Sequence, residues 1–341
     1  MKEQYKYLLN EEDLPKQWYN IVPDLPNPLP PQLNPQTMEP IGPEDLAPLF
    51  PMGLILQEVS DQNYIDIPEP VLELYKLYRP SPMYRALRLE RAIGTNSRIY
   101  YKYEGGSPSG SHKPNTAIPQ AFFNAEEGIK KMVTETGAGQ WGSALSFACQ
   151  AFGIELEVFQ VAASYESKPY RKTMMEIYGA KVYPSPSDKT DIGKKFLTED
   201  PNTPGSLGIA ISEAIEVARK EEGTRYALGS VLNHVLMHQS VIGLEALKQM
   251  EMAEDYPDVI VGCTGGGSNF TGLFSPFLRN NILTDQKTTI RAVEPEACPS
   301  LTKGVYTYDF GDSVGMAPVS YTHLRAHETK ANLVCRLLLE K

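Results

Sequence analysis

Lys131-Met-Val-Thr134, followed by Glu135-Thr136-Gly137-Ala138-Gly139-Gln140-Trp141-Gly142 and then Leu156-Glu-Val-Phe-Gln-Val161, decides the fold. The first run reads as a strand. The glycine-rich stretch ends it and opens a helix, and Trp141 to Phe152 is helical in period. The last run is a second strand. Working outward, Arg98 to Glu104 reads as a strand and residues 114–127 as a helix. Pro169 to Tyr178 reads as a helix and Ala180 to Tyr183 as a short strand. Val259-Ile-Val261 and Ile290-Arg-Ala-Val293 are apolar strands on either side of a helical stretch. Strands alternating with helices at this spacing imply parallel sheets with helices on both faces. The expected class is therefore α/β, with two three-layer αβα domains and mostly parallel sheets.

The chain has 341 residues, enough for two domains. The boundaries expected are a proline-rich arm over 1–70, a first domain over 71–235, a second over 236–318 and a tail over 319–341. Pro23, Pro26, Pro28, Pro30, Pro31 and Pro35 rule out a regular helix in the arm. Trp18, Tyr19, Ile21 and Val22 need burial, so the arm is expected to lie ordered on the body. A net charge of -10 argues against nucleic acid or an anionic membrane as partner. The longest apolar runs fall short of the ~20 residues that a membrane span needs. The N-terminus lacks an apolar signal region, and a cytoplasmic location is expected. Cys149, Cys263, Cys298 and Cys335 form no Cys-x-x-Cys pair. Cys149 and Cys263 are expected to be buried thiols.

Three loops carry the chemistry. In Ser107-Pro-Ser-Gly-Ser-His112-Lys113-Pro-Asn115, one lysine follows a small-residue approach and precedes a proline suited to a first helical turn. Gly265-Gly266-Gly267-Ser268-Asn269 follows an apolar strand and opens a helix expected to be interrupted at Pro276. Exposed backbone N–H groups before a helix N-terminus make an anion site. An imine-forming lysine with a distant phosphate cradle is what pyridoxal phosphate requires. His112 and Asn115 are placed either to touch that cofactor or to cap the helix. In the third loop, Thr136, Gly137, Ala138, Gly139 and Gln140 could hold a substrate carboxylate, with Glu135 beside the reacting atoms. His234 and His238 stand four apart but lack the glutamate of a zinc protease motif, so no metal is expected. A Gly-x-Ser-x-Gly elbow is absent, which argues against a hydrolase triad.

These loops, in this order, resemble the tryptophan synthase beta-chain family of fold-type II pyridoxal phosphate enzymes, in its longer second (TrpB2-type, "tryptophan synthase beta-like") branch. Trp18-Tyr-Asn-Ile, Arg79-Pro-Ser-Pro-Met-Tyr84, Tyr101-Lys-Tyr-Glu-Gly105 and Tyr165-Glu-Ser-Lys-Pro-Tyr-Arg171 support the match. So do Gly229-Ser-Val-Leu-Asn-His-Val235, Ala292 to Ser300 and Tyr308-Asp-Phe-Gly-Asp312. It covers roughly residues 15–318. The resemblance implies that Lys113 carries the cofactor imine and that Gly265, Gly266, Gly267, Ser268 and Asn269 bind its phosphate, with His112 alongside. Glu135 becomes the acid–base carboxylate, and Thr136 to Gln140 hold the substrate carboxylate. The implied reaction is loss of water from L-serine to an aminoacrylate that indole attacks, giving L-tryptophan. A mobile segment around residues 130–220 would close over the site. Trp141 stands where the main branch has histidine.

A homodimer and a monovalent-cation site are implied by the family, and an alpha-type chain that delivers indole is left open. Two alternatives also stay open: a threonine synthase or cysteine synthase relative with another leaving group, and a non-catalytic scaffold. Members of this branch run on well past the point matched by Val314-Gly-Met-Ala-Pro318. The second domain is therefore expected to be truncated, without the group facing the pyridine nitrogen, and to show an exposed apolar face. Residues 319–341 resemble no part of the family.

Overall fold

In the computed structural model, which describes residues 4–27, 40, 42–297 and 299–303, the chain opens with β1 (Lys6–Tyr7) and β2 (Gln17–Tyr19). Two short helices follow, α1 (Pro43–Leu46) and α2 (Met52–Glu58), so the arm does hold regular helix, contrary to expectation: Pro43 and Pro51 stand at the first helical position and the N-cap, where no intrahelical N–H bond is lost. Then come β3 (Tyr64–Asp66), α3 (Glu69–Tyr75), β4 (Met83–Arg85), α4 (Leu87–Ile93) and β5 (Tyr100–Lys102). β2 and β3 pair antiparallel and bring Trp18 and Tyr19 into the body, both fully buried. The Trp18 ring lies 4.4 Å from that of His238. Pro28, Pro30, Pro31, Pro35, Cys298, Cys335, Tyr308 to Asp312 and everything from Val314 onward lie outside the described residues.

The central unit is β6 (Lys131–Thr136), β7 (Glu155–Val161), β8 (Lys181–Ser185) and β9 (Thr224–Tyr226), an all-parallel sheet in the order β8-β7-β6-β9. Its helices are α5 (Pro114–Glu126), α6 (Gln140–Phe152), α7 (Ala162–Ser167), α8 (Pro169–Ile177), α9 (Asp191–Glu199) and α10 (Leu207–Lys220). Successive strand residues face opposite sides. Met132 packs with Leu156, Val158, Ala144 and Leu145 on the α5–α6 side, and Val133 with Phe159, Ile211 and Ile215 on the α10 side. Both faces are covered, so adjacent Met132 and Val133 are both buried completely. Each such side chain stabilises the fold by about 1.5–3 kcal/mol.

Two expectations change in detail. Arg98 to Glu104 contributes β5, which belongs to a separate antiparallel sheet in the order β1-β4-β5, with Tyr84 stacked on Tyr101 at 5.4 Å. Further on lie α11 (Asn233–His238), α12 (Val241–Met252), β10 (Val259–Cys263), α13 (Ser268–Leu283) and β11 (Thr289–Val293), with β10 and β11 parallel. The second change is in α13, which runs through Pro276 instead of stopping there. A proline ring crowds the carbonyl four residues back. At Gly243 of α12 a Cβ would lie 2.7 Å from Pro276 Cδ and 2.8 Å from the Gly272 carbonyl. The bare glycine makes room for both.

Cys149 is buried, but Cys263 is not, contrary to expectation. It lies in line with Val259 and Val261, which are 48% and 50% exposed, while Ile260 between them packs into the core. The cause is that one face of β10 is covered by α12 and α13 and the other is uncovered among the described residues.

Candidate active site

A cavity of about 380 Å³ opens where the carboxyl ends of β6 and β9 face the loop after β10. This is where ligands collect in open parallel sheets. Lys113 caps α5, with Pro114 at its first helical position. Its Nζ donates to the Gly229 carbonyl at 3.0 Å and lies 5.9 Å from the Trp141 ring. Burial pulls the Lys113 amine down to about 8, against the opposing pull of the Glu135 charge. An amine poised there is available as nucleophile or base near neutral pH.

Glu135 leaves β6 into the same cavity and is buried, accepting a hydrogen bond from the Tyr226 hydroxyl at 2.6 Å. His112 also lines the cavity, with Nε2 3.4 Å from Ser268 Oγ. Burial, helped by the Lys113 charge, pushes its imidazole down to about 3. It is therefore a neutral hydrogen-bonding group.

Gly265, Gly266, Gly267, Ser268 and Asn269 all line the cavity opposite Lys113. Gly267 caps α13 with φ +88°, a conformation that L side chains rarely adopt. A Cβ on Gly265 or Gly267 would meet nothing within 4 Å, so the loop borders an open space. On Gly266 it would strike Ser230 Oγ at 2.3 Å. At the start of α6, Thr136, Gly137, Ala138 and Gln140 line the cavity. The Thr136 hydroxyl accepts from the Gly142 N–H at 3.1 Å.

Two residues singled out in the sequence do not line the cavity. Gly139, with φ +98°, supplies the turn instead, and a Cβ on it would lie 2.8 Å from the Arg171 side chain. Asn115 turns into a buried polar cluster. Its Oδ1 accepts from Arg79 Nη1 and the Tyr78 hydroxyl, both at 3.0 Å, and its Nδ2 donates to Gln239 at 3.0 Å and Glu104 at 3.2 Å. Arg79 in turn pairs with Glu104 at 2.7 Å and Glu245 at 2.9 Å.

The cavity also gathers residues that sequence reading did not assign to a site: Leu207, Ile211, Leu228, Gly229, Ser230 and Val231. The small pair Gly229-Ser230 just after a strand was the one local signal. Ser230 Oγ is buried without a hydrogen-bond partner among the described residues. Val231 holds φ 75°, rare for a β-branched residue. His234 and His238 are core groups: His234 Nδ1 lies 2.8 Å from Glu58, and His238 is bonded to Gln57 at 2.7 Å and Thr116 at 3.0 Å.

Residues 74–331 match the family of pyridoxal-phosphate dependent enzymes. The chain is 58% identical over 323 residues to the tryptophan synthase beta chain of Thermococcus gammatolerans, covering 94% of this chain and 73% of that one. It is 57% identical over 326 residues to tryptophan synthase beta chain 2 of Aquifex aeolicus, covering 95% and 75%. Among solved structures, apo Escherichia coli diaminopropionate ammonia lyase superposes with a TM-score of 0.52 at 16% identity, over 67% of this chain and 65% of that one. At that identity the likeness concerns the fold.

Proposed function

Since the chain belongs to the pyridoxal-phosphate dependent enzymes and, within them, to the tryptophan synthase beta chains, we propose that it joins L-serine to indole, giving L-tryptophan and water. The observation that carries this reading is the convergence of Lys113, Glu135 and the triple-glycine loop on one cavity. The residues present fit the cofactor. Among the described residues, open space borders Gly265 and Gly267 and a buried hydroxyl at Ser230 lacks a partner. Lys113 would hold its aldehyde end, and Gly265 to Asn269 with Ser230 its phosphate. When bound, pyridoxal phosphate supplies an electron sink for the Cα of the amino acid.

The chain's own groups do the rest. The Lys113 amine, pulled down to about 8, moves the proton at the serine Cα. Glu135 supplies a proton to the departing serine hydroxyl. The N–H groups over Gly137 to Gln140, at the α6 N-terminus, orient the serine carboxylate. Leu207, Ile211, Leu228 and Trp141 form an apolar wall that excludes water and suits a neutral aromatic nucleophile. Neutral His112 donates or accepts at Ser268 without adding charge beside the phosphate loop.

The same reading takes the enzyme as cytoplasmic and homodimeric. No helix among the described residues is long and apolar enough to cross a membrane. Met52 and Leu56, exposed on one side of α2, and Val59 just beyond its end support burial against another chain. It divides the chain into an arm (1–70), two cofactor domains (71–235 and 236–318) and a tail. The test is tryptophan formation from L-serine and indole with pyridoxal phosphate added, beside Lys113→Ala. Wild-type turnover, its loss in the variant and borohydride tagging of Lys113 are expected. Consumption of O-phosphoserine or O-acetylserine with indole ignored would overturn the reading.

A further inference from the structure

Tyr226 ends β9, next to β6, and is 2% exposed; Glu135 is 4% exposed. The phenol approaches the carboxylate from behind the cavity, and its oxygen lies 2.6 Å from Glu135 Oε2. The residue is held in place independently of that bond. Its N–H donates to the Leu49 carbonyl at 2.9 Å, and its ring packs edge-on against Phe50 at 5.8 Å. We propose that Tyr226 is a positioning residue for Glu135: its hydroxyl fixes the orientation of the carboxyl group and favours the ionised form between proton transfers. This rests on reading Glu135 as the acid–base carboxylate.

A hydrogen bond donated to the charged form of a carboxyl group favours that form, and burial opposes it. Among the described residues, Tyr226 from β9 donates to Glu135, and Lys113 from the start of α5 lies within reach of its charge. From the other neighbouring elements come apolar groups: Phe159, beside it in the β7 register, and Leu207 and Ile211 of α10 across the cavity. Both titratable neighbours thus act in the same direction. Without them, a buried carboxyl group would hold its proton more tightly and release it less readily to the departing hydroxyl. Phenylalanine at position 226 keeps the ring and its packing on Phe50 and removes only the donor.

The experiment is an infrared pH titration of the protein without added cofactor, following the carboxylic C=O band that Glu135→Gln removes. Tyr226→Phe is expected to raise the midpoint of that band by about one pH unit, the size of one hydrogen bond to a charged group. The acid limb of the turnover–pH profile of the cofactor-loaded enzyme should move upward with it. Phe50→Leu loosens the same packing but keeps the hydroxyl, and should leave the midpoint in place. An unmoved midpoint in Tyr226→Phe, or an equal shift in Phe50→Leu, overturns the proposal. If the midpoint moves and the turnover profile does not follow, the hold of Tyr226 on the carboxylate stands and the acid–base reading of Glu135 fails.

Discussion

Gly229→Ala should destabilise the protein by about 2–4 kcal/mol, although it adds one methyl group beside a cavity. The position has no left-handed backbone requirement, so the cost is steric. A Cβ there would sit 2.5, 2.7 and 2.9 Å from the Cδ2, Cγ and Cε3 atoms of Trp141. Carbon atoms in contact prefer about 3.5–4.0 Å, so the indole must retreat by about 1 Å. It has little room: Trp141 is 4% exposed, and its Nε1 donates at 2.7 Å to Thr134 Oγ1, which itself donates at 2.6 Å to the Ala227 carbonyl. Overpacking costs about 1–3 kcal/mol, and breaking the indole bond adds about 0.5–1.5 kcal/mol. Urea unfolding of the protein without cofactor measures the total. Trp141→Leu removes the obstacle, so Gly229→Ala in that background should cost under about 0.5 kcal/mol, the two sites being coupled. A single-variant cost below about 0.5 kcal/mol, or the same cost in both backgrounds, would refute the packing argument.

Other consequences can be measured in the same material. The Lys113 amine is held at about 8 against an ordinary 10.5, so the unfolded chain binds its proton more tightly. Stability should therefore rise with pH between those values, with the full penalty present below pH 8. Lys113→Met should abolish that rise and stabilise the cofactor-free protein at pH 7 by up to about 3 kcal/mol; an unchanged pH dependence in thermal melts contradicts it. The Glu135 charge opposes the fall of the Lys113 amine. Glu135→Gln should then move the pH midpoint for capture of pyridoxal phosphate downward, and an upward move in stopped-flow traces refutes this. Glu245 accepts from Arg79 Nε at 2.9 Å, Ser81 N at 2.9 Å and Lys102 Nζ at 2.7 Å, with its own side chain and those of its two charged partners almost wholly buried. Glu245→Gln leaves two cations against Glu104 alone and should cost about 3–5 kcal/mol in urea unfolding.

The alternation from Lys131 to Val161 was legible because a strand, a glycine turn and a helix each follow from neighbours within a few residues. Observed β6, α6 and β7 lie within two residues of that reading. Lys113, Glu135 and the triple-glycine loop were legible for the same reason, since each ends or opens an element. Pro276 was misread because its tolerance depends on a bare glycine in a different helix. Cys263 was misread because an apolar strand does not say whether both its faces are covered.

The sequence by itself determined the parallel α/β class and the chemical groups on offer, since both are written in short-range patterns. Tertiary structure decided which of those groups share a cavity. It turned Asn115 away into the Arg79 cluster, gave Gly139 a turn to make, and brought in Gly229, Ser230 and Tyr226. Those residues meet only when strands distant along the chain pack side by side, and a contact set by packing leaves no periodic trace in the residues that make it.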